Sequence, residues 1–264
     1  MKVTYKGHMG SDLEVVNAAR VSFSGESTEF TKRDQHLIKF LARGCTTKDW
    51  EQLFCDVAVA GRDECIHTET TDTDKLQELL NHVKRMPSHW VPFANGGQIK
   101  MHFKVPLFVA RQLQKHTAGF NPWSEVSRRY VDSDPEFYAP DVWRGRSADK
   151  KQGSSGEITS SCVYDAGGEL THPKFAADDV NELALHTYNS MVAAGVAPEQ
   201  ARMVLPQSMM TEWWWSGSLD AFAAMCKLRC ASDTQVETQD VAWQIYWAME
   251  ELYPVSWAAL MEEY

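Results

Sequence analysis

The sequence has no apolar run long enough to cross a bilayer, since stretches such as Val105–Ala110 are far too short. No charged start followed by an apolar segment appears at Met1, so no secretory signal is expected and a cytoplasmic location is predicted. Hydrophobic residues make up 44% and charged residues 23% of the 264 residues, which is typical of a soluble globular protein. This length suits one compact domain or one core with an inserted segment.

Basic residues are too few to balance the acidic ones. The chain has 26 Lys and Arg against 36 Asp and Glu, a formal net charge of −10. Proteins that wrap nucleic acid present a basic face, so polymeric nucleic acid is not an expected partner. The charge does not exclude a small phosphorylated ligand, because two or three arginines or backbone N–H groups can bind a phosphate locally.

Several common catalytic and metal-binding motifs are missing. The sequence contains no GxSxG, no GxGxxG or phosphate-binding Walker loop, and no HExxH. The six cysteines form no CxxC pair, and they stand at positions 45, 55, 65, 162, 226 and 230. We therefore expect reduced thiols and no metal site.

The apolar pattern predicts mostly helices. The expected helices are Asp12–Val21, Lys32–Arg43, Leu107–Lys115, Asp178–Ala194, Pro198–Leu205, Leu219–Arg229 and Gln235–Leu252. Strands are expected at Gln98–Val105, which alternates, and at Thr211–Ser216, which contains three consecutive tryptophans. Many helices with few strands indicate an α+β fold.

Two segments depart from this rhythm. Residues 45–87 contain three cysteines and a polar run, and we interpret them as an insertion in a single domain that spans residues 1–264. Residues Arg144–Gly168 are rich in Gly, Ser and Lys, which predicts a mobile surface loop.

A dense polar segment follows the helix that Pro106 opens. It runs from Arg111 to Tyr130 around a Gly-Phe-Asn-Pro turn, and its chemistry-bearing residues are Arg111, Lys115, His116, Glu125, Ser127, Arg128 and Arg129. The Ser-Arg-Arg triplet at a turn offers a hydroxyl, backbone N–H groups and guanidinium groups, which together can bind a phosphate. Composition alone leaves open the alternative that the segment is a solvated charged loop.

The segment resembles the flavin-dependent thymidylate synthase family. Members of that family carry Arg-His-Arg, a seven-residue spacer and Ser, within a pattern that ends Glu-x-Ser-x-Arg-Tyr. Here Phe108-Val-Ala-Arg-Gln112 precedes the motif and Glu125-Val-Ser-Arg-Arg-Tyr130 closes it. Further similar blocks follow the family's order outside residues 45–87, and they are Ala18–Phe23, His89–Phe93, Glu136–Pro140, Ala201–Pro206 and Leu228-Arg229 followed by Gln235.

This sequence departs from the family pattern at the triplet itself. Arg-His-Arg is Lys115-His116-Thr117 here, and nine residues separate it from Ser127. Lysine keeps the charge but loses the bidentate fork of arginine, and threonine loses both. In addition, Ala94-Asn95 stands where the family has Glu-His, and the family's Asn-x-Arg and following Asn fall on Ser218, Asp220 and Ala224.

The resemblance implies a fold and an assembly. The expected architecture is a central, mostly antiparallel sheet flanked by helices. The expected assembly is a homotetramer in which each active site is shared between chains. The cofactors implied are FAD, NADPH as the hydride source and 5,10-methylenetetrahydrofolate as the carbon donor, with no enzyme nucleophile attacking the base.

The resemblance also implies roles for individual residues. The positions that match nucleotide binding are Gln112, Glu125, Ser127, Arg128, Arg129 and Arg202. The positions that match flavin contacts are Ser22, His89, Lys115, His116, Thr117, Glu125 and Ser218. Arg229 matches the catalytic residue that also binds the nucleotide and stabilises the ionised pyrimidine ring. A competing interpretation of Arg229 is an arginine that satisfies carbonyl groups at a helix end.

The function expected is conversion of dUMP to dTMP by a flavin- and folate-dependent one-carbon transferase. A second hypothesis is C5 methylation or hydroxymethylation of dCMP, which would suit a virus that modifies its DNA and would place the enzyme in the host cytoplasm. A third is a nucleotide-binding homologue without catalysis. The sequence leaves open the choice of base, the product, the role of residues 45–87 and the effect of the altered triplet on flavin affinity.

Overall fold

The structure is a computed structural model, and it describes residues 1–21, 25–43, 87–130, 133–148, 154–165 and 167–262. The helices are α1 (Asp12–Arg20), α2 (Lys32–Arg43), α3 (Pro87–Gly96), α4 (Leu107–Leu113), α5 (Pro173–Ala193), α6 (Pro198–Ala201), α7 (Leu219–Arg229), α8 (Val236–Leu252) and α9 (Pro254–Met261). The strands are β1 (Lys2–Gly10), β2 (Gly97–Pro106), β3 (Ser124–Glu125), β4 (Arg144–Arg146), β5 (Ser154–Glu157), β6 (Val163–Tyr164), β7 (Leu170–Thr171) and β8 (Met210–Ser218).

A four-stranded antiparallel sheet has the strand order β1-β2-β8-β3. In β2 and β8, buried side chains alternate with more exposed ones, so one face of each strand lies in the core. Phe103 of β2 stacks on Trp213 of β8 with ring centroids 4.8 Å apart, and Trp215 stacks on Phe120 at 4.0 Å. These rings form an aromatic cluster within the core of the sheet.

The chain forms two compact units. The first comprises Met1–Gly7, Ile99–Gly217 and Ala224–Ala248, and the second comprises His8–Gln98, Ser218–Ala223 and Met249–Tyr264. The first unit contains most of the sheet and all of α4 and α5. It also contains two small antiparallel hairpins, β4 with β5 and β6 with β7.

The second unit is helical, and a single carboxylate fixes the start of its last helix. Asp12, the first residue of α1, accepts hydrogen bonds from the backbone N–H groups of Val255 at 2.9 Å and Ser256 at 2.8 Å. The first N–H groups of a helix have no partner within the helix, so this carboxylate satisfies two of them in α9. The hydroxyl of buried Tyr253 donates to the carbonyl of Met9 at 2.7 Å.

The predicted α+β class is confirmed, and the bounds of Lys32–Arg43 and Leu219–Arg229 are as expected. Other predictions differ in extent: the helix expected at Leu107–Lys115 ends at Leu113, and the strand expected at Thr211–Ser216 runs from Met210 to Ser218. Helix α5 begins at Pro173 rather than Asp178, because proline is well suited to the first helical turn. The expected helix at Pro198–Leu205 divides into α6 and a 3₁₀ turn at Arg202–Val204.

The segment Arg144–Gly168, for which a mobile surface loop is predicted, contains the strands β4, β5 and β6 among its described residues, so it is not a loop throughout. Its Gly and Ser content favours a loop, but short antiparallel hairpins tolerate those residues. Strand β1 and helix α9 were not predicted at all. Residues 45–86 lie outside the described part of the chain, so one domain carrying an insertion at residues 45–87 stays a prediction.

Candidate functional site

A cavity of about 750 Å³ lies in the first unit, and we call it the Arg229 cavity. Its walls include the apolar side chains of Phe108, Tyr138, Pro140, Val142 and Trp143. Gln112 and Arg229, two of the predicted nucleotide-binding residues, line it as well. An apolar pocket with a few convergent polar groups is the usual form of a site for a small organic ligand.

Arg229 is the last residue of α7, but the groups it binds belong to another segment. Its Nε donates to Nε2 of His116 at 3.0 Å, and its Nη2 donates to the backbone carbonyl of Gln112 at 3.1 Å. The Gln112 carbonyl is one of the last carbonyls of α4, which have no partner within that helix. Arg229 therefore satisfies one carbonyl at the end of α4, whereas the competing interpretation would have it satisfy carbonyls at the end of its own helix.

His116 is neutral in this arrangement. Burial, followed by the positive charge of Arg229, lowers the pKa of His116 from 6.5 to about 4. The ring can accept a hydrogen bond at Nε2 only when that nitrogen has no proton, which puts the proton on Nδ1.

The side-chain amide of Gln112 is held at both ends. Its Nε2 donates to Oε1 of Gln235 at 2.6 Å, and its Oε1 accepts from the hydroxyl of Thr238 at 3.0 Å. Gln235 belongs to the family pattern, whereas Thr238 belongs to none of the motifs in the sequence. Gln235, the residue directly before α8, and Thr238 in the first turn of α8 therefore fix the amide of Gln112.

The residues that line the cavity also include an ion pair, which the sequence does not reveal. Arg144 of β4 pairs with Glu237 of α8, and Arg144 also donates to Oγ of Ser154 at 3.0 Å. The Glu237 side chain is only 6% exposed. Burial, with the negative charge of Glu237 as the next cause, raises the pKa of Tyr138 to about 12, so its hydroxyl keeps its proton. The sequence does not indicate this pairing, because Arg144 stands at the start of a segment whose composition predicts a loop.

The residues predicted to bind phosphate meet around one glutamate. Arg129 Nε lies 3.3 Å from Oε2 of Glu199, and Arg202 Nε donates to the backbone carbonyl of Glu199 at 3.2 Å. The hydroxyl of Ser127 accepts from the backbone N–H of Arg129 at 3.4 Å. Arg129 and Arg202 are both exposed. The guanidinium groups of Arg129 and Arg202, which are predicted to bind a phosphate, therefore both lie at the surface beside Glu199.

Glu125 and Arg128 line a different, more polar cavity of about 480 Å³. Glu125 accepts a hydrogen bond from the hydroxyl of Thr211 at 2.7 Å, and Arg128 donates to the carbonyl of Ser133. The predicted nucleotide-binding residues of one chain therefore occupy three places, namely the two cavities and the surface around Glu199.

The predicted flavin-binding residues are less completely described. Lys115 and Thr117 are exposed on the turn after α4, on either side of His116. Ser218 is buried at the end of β8. Ser22 lies outside the described residues, and of His89 only the backbone position, in α3, is described.

The family model described as thymidylate synthase complementing protein matches residues 6–255. The chain belongs to this family, as the resemblance indicated. It is 32% identical over 255 residues to the flavin-dependent thymidylate synthase of Thermus thermophilus, which covers 96% of this chain and 73% of that protein. It is 30% identical over 264 residues to the flavin-dependent thymidylate synthase of Anaplasma marginale, with 97% and 70% coverage.

Among solved structures, the chain resembles the UMP/dUMP methylase PolB from Streptomyces cacaoi bound with 5-Br dUMP. The TM-score is 0.65 at 23% identity, and the likeness covers 98% of this chain and 93% of the other. This likeness confirms the fold. Within the described residues, no helix is both long and apolar enough to cross a membrane.

Proposed function

We propose that the protein is a flavin-dependent thymidylate synthase that transfers a one-carbon unit to C5 of dUMP and yields dTMP. Membership of the family and the names of its relatives in Thermus thermophilus and Anaplasma marginale support this function. The observation in the structure that carries it is the position of Arg229, whose guanidinium lines an apolar cavity beside Gln112.

Arg229 is the proposed catalytic residue. Its guanidinium keeps its positive charge at any pH at which the protein is folded. Placed beside N3 or O2 of a pyrimidine ring, it stabilises the anion that forms when N3 loses its proton to solvent, and the anionic ring is a better carbon nucleophile at C5 than the neutral ring. Gln112, held by Gln235 and Thr238, is the proposed contact to the nucleotide within the same cavity.

The proposed phosphate site consists of Ser127, Arg129 and Arg202. Two guanidinium groups and a hydroxyl can satisfy a phosphate dianion. The carboxylate of Glu199 forms an ion pair with Arg129, so a bound phosphate would have to displace that carboxylate. Glu125 and Arg128, which line the polar cavity, complete the proposed nucleotide-binding set.

The proposed cofactors are FAD, NADPH and 5,10-methylenetetrahydrofolate. Lys115 and Thr117 fit a flavin dinucleotide, since both are exposed and offer an ammonium and a hydroxyl that can bind a diphosphate. Ser22, His89, His116, Glu125 and Ser218 are the other proposed flavin contacts. Reduced flavin would supply the hydride that completes the methyl group.

We also propose a homotetramer whose active sites are shared between chains. The division of the nucleotide-binding set among three places in one chain supports this assembly, because a second copy could contribute the phosphate-binding part. A cytoplasmic location stays a prediction from the sequence.

Incubation with either dUMP or dCMP, together with the folate, FAD and NADPH, tests the function. We expect mass spectrometry to find dTMP from dUMP and no methylated or hydroxymethylated product from dCMP. Arg229→Ala should form no dTMP. Turnover of dCMP alone would contradict the proposed substrate. If the protein converts neither nucleotide and does not change the absorption spectrum of added FAD, the third hypothesis holds, namely a nucleotide-binding homologue without catalysis.

A further inference from the structure

One edge of the Arg229 guanidinium is fully engaged. The Nε–H and one Nη2–H lie on the same edge of this planar group, and they donate to His116 and to the Gln112 carbonyl at 3.0 and 3.1 Å. Two bonds in parallel fix the plane of the group as well as its position. A single acceptor would leave the guanidinium free to rotate about that bond.

The other edge of the guanidinium is available. Arginine has five N–H groups, and the two bonds leave two on Nη1 and one on Nη2. These N–H groups make no hydrogen bond to any other residue in the described part of the chain, and Arg229 lines the cavity. Parallel N–H groups on Nη1 and Nη2 can bind two neighbouring acceptors, such as N3 and O2 of an ionised pyrimidine ring.

We propose that His116 is a positioning residue, which holds Arg229 so that its Nη1–Nη2 edge meets the pyrimidine ring of the nucleotide. This inference rests on the proposed function and deepens it. It gives His116 a role apart from flavin contact, since the acceptor atom is Nε2 and the donor is the residue proposed to activate the ring.

The protonation state of His116 agrees with this role. Burial, followed by the charge of Arg229, lowers the pKa of His116 to about 4, so the acceptor nitrogen is free of a proton at neutral pH. A protonated imidazole would lose the acceptor and would place two cations in contact. The other acceptor is the backbone carbonyl of Gln112, which a substitution does not remove. His116 is therefore the partner that can be varied by mutation.

A bound nucleotide whose ring ionises near neutrality can report the position of Arg229. The probe is 5-fluoro-dUMP, whose electron-withdrawing fluorine favours loss of the N3 proton. Its ultraviolet absorbance, measured against pH with the protein in excess, gives the pKa of the bound ring. In the parent protein Arg229 should lower that pKa relative to free nucleotide, and Arg229→Ala should abolish the lowering.

His116→Leu removes the acceptor and should lose most of the lowering, while binding of the nucleotide through its phosphate persists. His116→Gln carries an oxygen near the position of Nε2 and should recover part of it. Gln114→Leu changes an exposed neighbour on the same turn and is the matched control. The spectrum of bound FAD in each variant separates this effect from any loss of flavin.

The inference would be overturned if the pKa of bound 5-fluoro-dUMP in His116→Leu equalled that in the parent protein while Arg229→Ala no longer lowered it. The proposed function would still stand in that case. If the parent protein does not bind 5-fluoro-dUMP at all, the proposed function itself is wrong. Should His116→Leu fail to fold, His116→Gln decides, together with the NMR exchange rate of the Arg229 Nε–H. That rate should rise when the acceptor weakens, and a rate and ring pKa equal to the parent's would contradict the inference.

Discussion

The hydroxyl of Thr238 donates a hydrogen bond to the side-chain oxygen of Gln112 at 3.0 Å, and Thr238 is fully buried. The same amide donates from its nitrogen to Gln235 at 2.6 Å. A flip of the Gln112 amide would point an N–H₂ group at the Thr238 hydroxyl and a carbonyl at the oxygen of Gln235. Gln235, directly before α8, and Thr238, in its first turn, therefore determine the orientation of the Gln112 amide.

Thr238→Val should weaken both stability and nucleotide binding. Valine keeps the shape of threonine but leaves the partly buried Gln112 oxygen without its donor, which should cost about 1 kcal/mol of unfolding free energy. The KM for dUMP should rise more than kcat falls, because an unfixed Gln112 binds less well. Urea denaturation and steady-state kinetics measure the two effects. Thr238→Ser keeps the hydroxyl and should behave like the parent, and a normal KM in Thr238→Val would separate Gln112 from nucleotide binding.

Glu199→Gln should tighten the binding of the monophosphate. The Glu199 carboxylate pairs with Arg129, and both side chains are about half exposed, so the pair itself contributes less than about 1 kcal/mol to stability. Removing the negative charge frees Arg129 for a phosphate. Calorimetric titration with dUMP should show a lower Kd in Glu199→Gln, while deoxyuridine, which has no phosphate, is unaffected.

Glu250→Gln, which removes another exposed carboxylate, is the control for the change in net charge. An equal Kd in the parent, Glu199→Gln and Glu250→Gln would place the phosphate away from Arg129.

Arg144→Met should destabilise the protein strongly. It leaves Glu237 with a buried charge and no partner for Oε1, while Oε2 has no hydrogen-bond partner among the described residues even in the parent. Loss of one partner of a buried ion pair costs about 3 kcal/mol or more. Replacing both residues, in Arg144→Met with Glu237→Leu, removes the unpaired charge and should recover much of the loss. Denaturation curves for the single and double variants decide, and a double variant no more stable than Arg144→Met would contradict the argument.

The fold was largely predictable where a segment buries one periodic face. Strand β2 alternates along Gln98–Val105 and helix α2 repeats its apolar residues along Lys32–Arg43, so burial and sequence pattern agree. Strand β1 has the sequence Lys-Val-Thr-Tyr-Lys-Gly-His-Met-Gly and contains no buried residue. It was missed because it has no buried face that would require a regular apolar alternation. An edge position in the sheet gives such a strand hydrogen bonds without a buried face.

The site was predictable in part and for a different reason. Gln112, His116 and Arg229 were singled out by resemblance, and the structure brings them together through Arg229. Thr238 and Glu237 could not be found in the same way, because their importance lies in the partner each one meets across the chain. A pairing between residues 93 or 126 positions apart leaves no local pattern in the sequence.

Stability should fall as the pH is lowered through the range in which His116 titrates. The pKa of His116 is about 4 in the folded protein and has its ordinary value of 6.5 in the unfolded chain. Between these values the unfolded chain binds a proton that the folded protein does not, so the contribution is fully present above pH 6.5 and is lost as the pH falls towards 4. His116→Gln has no such group, and urea denaturation at several pH values should give it a shallower dependence than the parent. Equal slopes would show that His116 titrates normally.

The altered triplet permits a test of base preference, in which Lys115→Arg and Thr117→Arg are combined to restore the family's pattern. Two added guanidinium groups near the base would favour uracil, which has O4 and an ionisable N3. They would disfavour cytosine, whose C4 amine would face another donor, at a cost of about 1–3 kcal/mol for the unpaired groups. This re-tuning hypothesis predicts a higher ratio of kcat/KM for dUMP to kcat/KM for dCMP.

We expect that ratio to stay unchanged, with tighter binding of FAD in the double variant. Lys115 and Thr117 are exposed on either side of His116 and do not line the Arg229 cavity. We therefore expect added arginines there to contact the diphosphate of FAD rather than the pyrimidine base of the nucleotide. Bidentate guanidinium contacts to a diphosphate are stronger than those of an ammonium or a hydroxyl, which is why the Kd of FAD should fall. Specificity constants for both nucleotides and titration with FAD, in the parent and the double variant, separate the hypotheses. A ratio that rises tenfold without a change in the Kd of FAD would mean that the triplet faces the base.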